Sequence, residues 1–228
     1  MNFWAKFRAL HRFWRYRLSS EKDSLTFLHS LSLKNTLTMD IGANKGAYSF
    51  WLSKAVGTGG EVWAFEPQPE LGIYLEQIRQ DFHLHNLRVF NHALSKNSGA
   101  LKLDRKHAGH GGARVSAEGQ LSVPSITLDS LLPEVERPIS FLKCDVEGHE
   151  LAVVEGGKML LNQHQPILQL EIHHEAMLKG KVIHFLEELG YTGHFMQHGK
   201  LYPISLFDQF DYPRSDTHRN YLFFPSES

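Results

Sequence analysis

The 228-residue chain has little of what marks secreted, membrane-spanning or nucleic-acid-binding proteins. It holds one cysteine, Cys144, which excludes an internal disulfide and favours a reducing compartment. No apolar run is long enough to cross a bilayer, and arginines interrupt the apolar stretches near the N-terminus, unlike a signal peptide. With a formal net charge of -1, no overall field attracts nucleic acid. We therefore expect a cytoplasmic protein with no nucleic-acid partner.

Composition and length predict one globular domain with an extension. Hydrophobic residues make up 42% of the chain and charged residues 21%, as in ordinary folded proteins. A chain of this length can bury a core without disulfides or structural metals. We assign residues 36–228 to that domain and residues 1–35 to a basic, amphipathic helical extension.

The extension carries an apolar stripe at helical spacing. Its members are Phe3, Phe7, Leu10, Trp14 and Leu18. Basic residues fill most of the other positions, so the rest of the helix surface is polar. We expect the stripe to pack on the main domain. The alternative is a basic amphipathic helix that touches a membrane surface or a partner through residues 1–22, which would make the protein membrane-peripheral.

From residue 37 onward, predicted strands alternate with predicted helices. The strands are 37–41, 61–65, 87–93, 139–146, 167–172, 191–196, 200–204 and 221–224, and the helices are 45–56, 69–82, 150–161 and 176–189. This alternation is typical of an α/β domain with a parallel sheet and helices on both faces, here with the last strand antiparallel. Residues 94–138 break the rhythm and predict a variable insertion or lid beside the site, with a glycine-rich loop at 106–119.

The turn after the first strand predicts a ligand site. It reads Asp-Ile-Gly-Ala-Asn-Lys-Gly at 40–46, and its glycines permit positive φ and a close approach of ligand to main chain. Ligands of open α/β sheets lie beyond the carboxyl ends of the strands. The glycine spacing fits neither a dinucleotide fingerprint nor a P-loop. Asp40 disfavours a pyrophosphate and suits a cation such as the amino group of a methionine moiety.

Two further strand ends face the same edge of the predicted sheet. Glu66 follows the second strand about twenty residues after the glycine turn, where a carboxylate can accept hydrogen bonds from both ribose hydroxyls. Alone, Glu66 could equally be a surface residue. Asn-His-Ala-Leu-Ser at 91–95 ends the third strand, in a loop that faces the adenine in folds of this kind, which makes Ala93 a candidate cofactor residue.

The fourth buried strand ends in a dense group of ionisable side chains. They are Asp145, Glu147, His149 and Glu150. So much charge at a sheet edge is costly unless it is solvated, paired or used. Glu171 and His173 end the neighbouring strand and should point at the same rim.

These motifs together resemble the FkbM-type methyltransferase family. The resemblance is carried by the turn at 40–46, Phe-Glu-Pro at 65–67, residues 91–95, and Lys-Cys-Asp-Val-Glu-Gly-His-Glu at 143–150, with the strands at 168–172 and 220–225. It covers about residues 37–225. It implies the Rossmann-like class I methyltransferase fold, a three-layer sandwich with a mainly parallel seven-stranded sheet whose last strand is antiparallel.

The resemblance also implies S-adenosylmethionine as cofactor and O-methylation of a hydroxyl on a sugar, glycan or secondary metabolite. By position, the methionine side of the cofactor would meet Asp40, Gly42, Asn44 and Gly46. Glu66 would hold the ribose, and Asp145 would lie beside the methyl-transfer centre. The substrate partner is then a small-molecule or saccharide hydroxyl acceptor.

Removal of the hydroxyl proton from an alcohol acceptor is helped by a base within hydrogen-bond reach. Our hypothesis is that Glu147 or His173 takes this proton and that Asp145 positions the cofactor or the acceptor. We assign no metal site. The alternative is a magnesium or manganese site made of Asp145, Glu147, Glu171 and His173. Two rival functions stay open: a cofactor-binding scaffold that kept the fold, and a nicotinamide-dependent dehydrogenase, which the glycine spacing disfavours.

Overall fold

Strands and helices alternate along most of the chain in a computed structural model that describes residues 1–173, 177, 180–210 and 218–226. The strands are β1 (Leu37–Ile41), β2 (Glu61–Phe65), β3 (Leu87–Phe90), β4 (Ala93–Leu94), β5 (Gly99–Asp104), β6 (Arg114–Val115), β7 (Leu121–Ile126), β8 (Ile139–Cys144), β9 (Ile167–His173), β10 (Tyr191–Gln197), β11 (Lys200–Pro203) and β12 (His218–Pro225). The α-helices are α1 (Phe3–Arg15), α2 (Lys22–Ser30), α3 (Ala47–Val56), α4 (Pro69–Asp81), α5 (Glu150–Glu155), α6 (Lys158–His164) and α7 (Lys181–Glu188).

The main sheet has eight strands in the described residues, in the order β11-β10-β12-β9-β8-β1-β2-β3. Strand β1 pairs in parallel with β2 on one side and with β8 on the other, which creates the switch point of an open α/β sheet. Strand β12 runs antiparallel to both β9 and β10. The predicted mainly parallel, Rossmann-like sheet with an antiparallel last strand is confirmed. The predicted count of seven is wrong, because a hairpin after β10 adds β11 at the edge.

The central strands are apolar because both faces of the sheet are covered. Every residue of β1 is buried, as expected for a parallel strand between two helical layers. On one face, Leu37, Met39 and Ile41 belong to a core that includes residues of α5, α6 and α7. On the other face, Val62 and Ala64 belong to a core that includes residues of α1 to α4. These layers form the predicted three-layer sandwich.

The insertion at 94–138 is more ordered than its glycine content predicts. Its strands join β4 in a second sheet of four strands, β4-β7-β5-β6, and a 3-10 helix spans Asp129–Glu134. A small core of Ala93, Leu103 and Val123 supports this sheet. The predicted third strand at 87–93 is therefore wrong in its second half, because β3 ends at Phe90 and Ala93 pairs with Ser125 of β7.

The predicted helix at 150–161 is interrupted by two glycines. Helix α5 ends before Gly156, and α6 begins after Gly157. A Cβ on Gly156 would lie 2.1 Å from the backbone oxygen of Ser95. The chain thus bends where the insertion packs closely on it. Of the helix predicted at 176–189, α7 covers residues 181–188, and Ala176 lies outside the described residues.

Helix α1 packs on the domain through a different face from the predicted one. Ala9 and Phe13 are buried, and the ring of Phe13 stacks on that of Phe50 with centroids 4.5 Å apart. The indole Nε1 of Trp51 donates to the Phe13 carbonyl oxygen at 3.0 Å. The predicted packing of the apolar stripe is mostly wrong: all five of its members are exposed, although the Trp14 ring meets that of Trp51 edge to face with centroids 5.1 Å apart. In the described part of the chain, no helix is long and apolar enough to cross a membrane.

Candidate active site

The carboxyl ends of β1, β2 and β8 converge at one edge of the main sheet. The register places Asp40 of β1 opposite Ala64 of β2 and opposite Lys143 of β8. The segments that follow these strands therefore start side by side, which brings together the glycine turn, Glu66 and Asp145. Strand β9 extends this edge, with Gln169 opposite Lys143.

The glycine turn fits tightly against the end of β8. Gly42 has φ 77°, which favours glycine. A Cβ there would lie 1.8 Å from the backbone oxygen of Asp145. Gly46 has φ 74°, and its Cβ would lie 2.8 Å from Leu75 Cδ2 of α4, so this glycine serves packing between the turn and a helix. Gly46 does not line either of the clefts described below.

Glu66 is a buried carboxylate fixed by main-chain donors. The backbone N–H of Asn44 donates to Oε2 at 2.8 Å, and that of Gln68 donates to Oε1 at 2.9 Å. Burial raises the pKa of Glu66 to about 7, although these two hydrogen bonds favour the ionised form. Each oxygen keeps a lone pair, so the carboxylate can still accept two hydrogen bonds from a ligand.

A first cleft opens beside Glu66. The predicted residues Gly42, Asn44, Glu66, Ala93 and Asp145 all line it. Two of its buried polar atoms, Asn44 Oδ1 and His92 Nδ1, have no hydrogen-bond partner among the described residues. A cleft with unpaired buried polar atoms and a carboxylate that can accept further hydrogen bonds is typical of a site that binds a polar ligand.

The insertion closes one wall of the first cleft with residues that sequence reasoning did not assign. They are Leu103, Gly111, Ala113 and Val115. The side-chain Nε2 of Gln68 donates to the His110 carbonyl oxygen at 3.0 Å, which fastens the glycine-rich loop to the start of α4. The loop therefore lies over the site, and its role as a lid stays a prediction. The sequence signal was its glycine content, which does not reveal what the loop covers.

A buried lysine organises the carboxylates at the end of β8. Lys143 is 3% exposed, and its Nζ donates to Asp145 Oδ2 at 3.0 Å. Burial alone would lower the pKa of the Lys143 ammonium, but the surrounding carboxylates, led by Asp145, raise that pKa above its ordinary value. Sequence reasoning missed this role of Lys143. The signal for it is a charged residue within a buried strand.

Asp40 is almost fully buried and accepts a hydrogen bond from Ser49 Oγ at 2.5 Å. Burial raises the pKa of its carboxyl above the ordinary value, while the charge of Lys143 opposes that rise. The cation beside Asp40 is thus Lys143 of the protein itself. The predicted contact of Asp40 with a ligand amino group stays a prediction.

Two pairs of ionisable side chains, Asp145 with Glu171 and Glu147 with His173, lie at the rim formed by β8 and β9. Burial, and then the neighbouring Asp145, raise the pKa of Glu171, which shares a hydrogen bond with Asp145. One proton held between these two carboxyls relieves their repulsion. In the second pair, Glu147 Oε2 lies 3.7 Å from His173 Nε2. Glu147 has φ 53°, a left-handed turn conformation, and lines both of the clefts at this edge of the sheet.

The remaining ionisable residues of this segment fasten its loop. Glu150 is buried, and its Oε1 accepts hydrogen bonds from the backbone N–H groups of Val146 and Gly148 at 3.3 and 3.0 Å. His149 Nε2 lies 2.9 Å from Ser95 Oγ, and burial lowers the pKa of His149. In the described parts of the chain, no three His, Cys, Asp or Glu side chains are grouped to hold a metal ion.

A second cleft opens on the other side of the glycine turn. Asp40, Lys143 and Glu171 line it from the strand ends, and Arg12, Arg15 and Tyr16 line it from the N-terminal extension. The two clefts share five residues: Gly42, Asn44, Gly111, Asp145 and Glu147. A ligand in one cleft would therefore meet a ligand in the other at Asp145 and Glu147.

The sequence and the fold match known methyltransferases. Residues 40–192 match the model of the methyltransferase FkbM domain. The hexuronic acid methyltransferase AglP of Haloferax volcanii is 30% identical over 170 residues, which make up 73% of this chain and 68% of that protein. The family model alone spans more than half of the chain.

Solved structures support the fold. The methyltransferase FkbM of Methylobacillus flagellatus KT superposes with a TM-score of 0.60 at 15% identity, over 85% of this chain and 45% of that one. This chain thus matches less than half of that protein's length. Fibrillarin of Aeropyrum pernix, solved with natively bound S-adenosyl-L-methionine, gives a TM-score of 0.52 at 12% identity, over 89% of this chain and 74% of that one. With the predicted motifs assembled at one sheet edge, the chain belongs to the FkbM methyltransferase family.

Proposed function

We propose that this methyltransferase uses S-adenosylmethionine to methylate a hydroxyl group of a saccharide. The observation that carries the proposal is the pair of clefts that meet at Asp145 and Glu147. A transferase needs two ligand sites that share a reaction centre. The name of the Haloferax volcanii relative, a hexuronic acid methyltransferase, supports a saccharide acceptor.

The residues of the first cleft fit the cofactor. The free lone pairs of Glu66 suit the two ribose hydroxyls, and the unpaired Asn44 Oδ1 can accept a further hydrogen bond. Ala93 is small and buried, so it leaves a flat apolar wall for an adenine. Gly42 lets the main chain approach the ligand. Asp40 lines the second cleft and not this one, so its contact with the amino group of the cofactor stays a prediction.

When bound, S-adenosylmethionine supplies an electrophilic methyl group on a positively charged sulfur. The protein then has to orient the acceptor hydroxyl and remove its proton. Glu147 is suited to take that proton, because it lies where both clefts meet and His173 stands 3.7 Å away to receive or share the charge. Asp145 is held by Lys143 and Glu171, so we assign it to positioning the reacting groups.

The cofactor site is tested by calorimetric titration of S-adenosylhomocysteine into the wild type and into Glu66→Ala. We expect the substitution to weaken binding at least about tenfold, or about 1.4 kcal/mol. Wild-type affinity should also fall as pH drops through about 7, because Glu66 then gains a proton and loses acceptor capacity. Affinity that depended on pH in the same way in Glu66→Ala would contradict this assignment.

Glu61→Ala provides the matched control. Glu61 starts the strand that Glu66 follows, and it faces Arg137 at the far end of that strand. Its removal should leave both the affinity and its pH dependence unchanged. If the folded wild type bound no S-adenosylhomocysteine, the proposed cofactor would be wrong, and the reading of the chain as a scaffold would gain weight.

A further inference from the structure

We propose that α1 supplies the anion-binding groups of the acceptor cleft, and that the acceptor carries a carboxylate as well as the hydroxyl that is methylated. The inference rests on the proposed function, because it assigns the second cleft to the acceptor. It concerns residues outside the matched family domain, which begins at residue 40. The selectivity for the acceptor would then lie in the extension and not in the common fold.

Two guanidinium groups of α1 line the second cleft without acidic partners. Arg12 Nη1 donates to Tyr74 Oη at 3.1 Å, and the Arg15 guanidinium lies 5.9 Å from the centroid of the Tyr16 ring. Among the residues that the structure describes, neither arginine forms an ion pair. Lys45 of the glycine turn adds a third positive charge to the same cleft.

Other cations nearby are already neutralised. Lys143 is bound to Asp145, and Lys6 of α1 pairs with Asp81 at 2.7 Å. Arg12 and Arg15 thus keep their charge for a ligand. A guanidinium suits a carboxylate because two of its planar N–H groups can donate a bidentate pair of hydrogen bonds to the two carboxylate oxygens. A neutral sugar would gain little from two such groups, whereas a hexuronate would be held with its hydroxyls turned toward Asp145 and Glu147.

The position of α1 is fixed firmly enough for this role. Phe13 is buried against α3, and the segment after α1 is tied to the domain by Glu21. Its Oε2 accepts hydrogen bonds from Tyr48 Oη and from Asn220 Nδ2, both at 2.8 Å. Arg12 is further held by Tyr74 of α4. The cationic wall therefore belongs to the folded site.

The test is calorimetric titration of D-glucuronate, D-galacturonate and D-glucose into the full chain saturated with S-adenosylhomocysteine. We expect at least one uronate to bind and glucose to bind at least about tenfold more weakly. Arg15→Gln should weaken uronate binding by at least about tenfold and leave the S-adenosylhomocysteine affinity unchanged. Arg8→Gln is the matched control, since Arg8 is an exposed arginine of the same helix outside the cleft.

Arg12→Gln is the second variant, with thermal unfolding as a check that α1 stays docked. The inference is overturned if glucose binds as well as the uronates, if neither uronate binds, or if Arg15→Gln and Arg12→Gln bind them like wild type. In each of these cases binding of S-adenosylhomocysteine would leave the proposed cofactor site intact. Loss of that binding in the wild type would instead refute the proposed function.

From a different observation, we propose that the outer face of α1 docks on an anionic lipid surface. We define the outer stripe as Phe3, Trp4, Phe7, Leu10, Trp14 and Leu18. Their exposed fractions run from 37% for Leu10 to 74% for Phe3. The other large hydrophobic residues exposed in the described chain are Ile73, Met159 and Leu201, which lie on separate elements. A contiguous stripe of this kind marks an interaction surface.

The charges around the outer stripe favour lipid over a second copy of the chain. Residues 1–20 contain five Lys and Arg residues and no Asp or Glu. Arg8 flanks the stripe and is exposed. Two copies meeting through this face would bring like charges together, whereas anionic headgroups would neutralise them. Trp and Phe side chains are suited to the boundary between headgroups and acyl chains.

The test is co-sedimentation of the full chain with vesicles of phosphatidylcholine and phosphatidylglycerol, and with vesicles of phosphatidylcholine alone. We expect binding to the mixed vesicles, and a loss of at least about tenfold in partitioning for the double variant Trp4→Ser and Phe7→Ser. Ile73→Ser with Met159→Ser removes equally exposed apolar side chains elsewhere and should bind like wild type. Binding of S-adenosylhomocysteine shows that each variant is folded.

Absence of vesicle binding would overturn this inference. So would binding that the Trp4→Ser and Phe7→Ser substitutions leave unchanged. Dimerisation in analytical ultracentrifugation that these two substitutions abolish would assign the stripe to a second copy of the chain instead.

Discussion

Replacing Glu147 by glutamine is expected to lower kcat by about 10²- to 10⁴-fold, with little change in the affinity for S-adenosylhomocysteine. Glutamine has the shape of glutamate but cannot take a proton from a hydroxyl. The loop that holds residue 147 is fixed by Glu150, so the substitution should not disturb the fold. His173→Ala should lower kcat as well, because the imidazole lies 3.7 Å from Glu147 and stabilises its charge changes. Initial rates at saturating acceptor measure both effects.

The chain offers a matched control for this pair. His184 Nε2 and Glu188 Oε1 lie 3.2 Å apart on the exposed face of α7, away from both clefts. Glu188→Gln and His184→Ala should therefore leave kcat unchanged. A Glu147→Gln variant that turned over at the wild-type rate, or that lost cofactor affinity alone, would show that the proton goes elsewhere.

Gly42→Ala is expected to destabilise the protein by at least about 3 kcal/mol and to abolish binding of S-adenosylhomocysteine. A Cβ at this position would overlap the backbone oxygen of Asp145 at 1.8 Å, and neither side of this contact is a flexible side chain. The glycine turn would have to separate from the end of β8, which would open the junction of the two clefts. Urea unfolding measures the loss of stability.

The variant Gly190→Ala serves as a control that measures the free-energy cost of positive φ alone, without the steric overlap that Gly42→Ala adds. Gly190 has φ 80°, close to that of Gly42, and a Cβ there would meet no described atom within 4 Å. Its substitution should cost only about 1 kcal/mol and leave cofactor binding intact. Equal losses of stability at the two positions would mean that the turn does not contact β8 as tightly as the structure indicates.

Local spacing was enough to predict which strand ends lie together at one edge of the sheet. The turn at 40–46 and Glu66 lie at the ends of adjacent parallel strands, and parallel strands bring their carboxyl ends to one edge whatever the helices between them do. The geometry of Glu66, with two backbone donors on its carboxylate, could not be predicted, because it depends on the path of residues 44 and 68. The same holds for Ala93, which belongs to another sheet than expected.

Periodicity failed where a helix had two apolar faces. Residues 3–18 contain aromatic side chains both on the stripe and at Phe13, so the pattern alone could not tell which face meets the domain. The small side chain of Ala9 beside Phe13 allows close approach on one face, and the groove that accepts them is made by α3. Two glycines within the predicted helix at 150–161 likewise became a break because the insertion presses on them.

The sequence by itself determined the order of strands and helices, the residues at the strand ends and the family to which they belong, since these depend on local periodicity and short motifs. Only the tertiary structure decided which charges meet. Sheet register set Lys143 beside Asp40 and Asp145, and the docking of α1 brought Arg12 and Arg15 to the second cleft. Such contacts join residues far apart in the chain, and their free energy comes from burial and pairing, which no local pattern encodes.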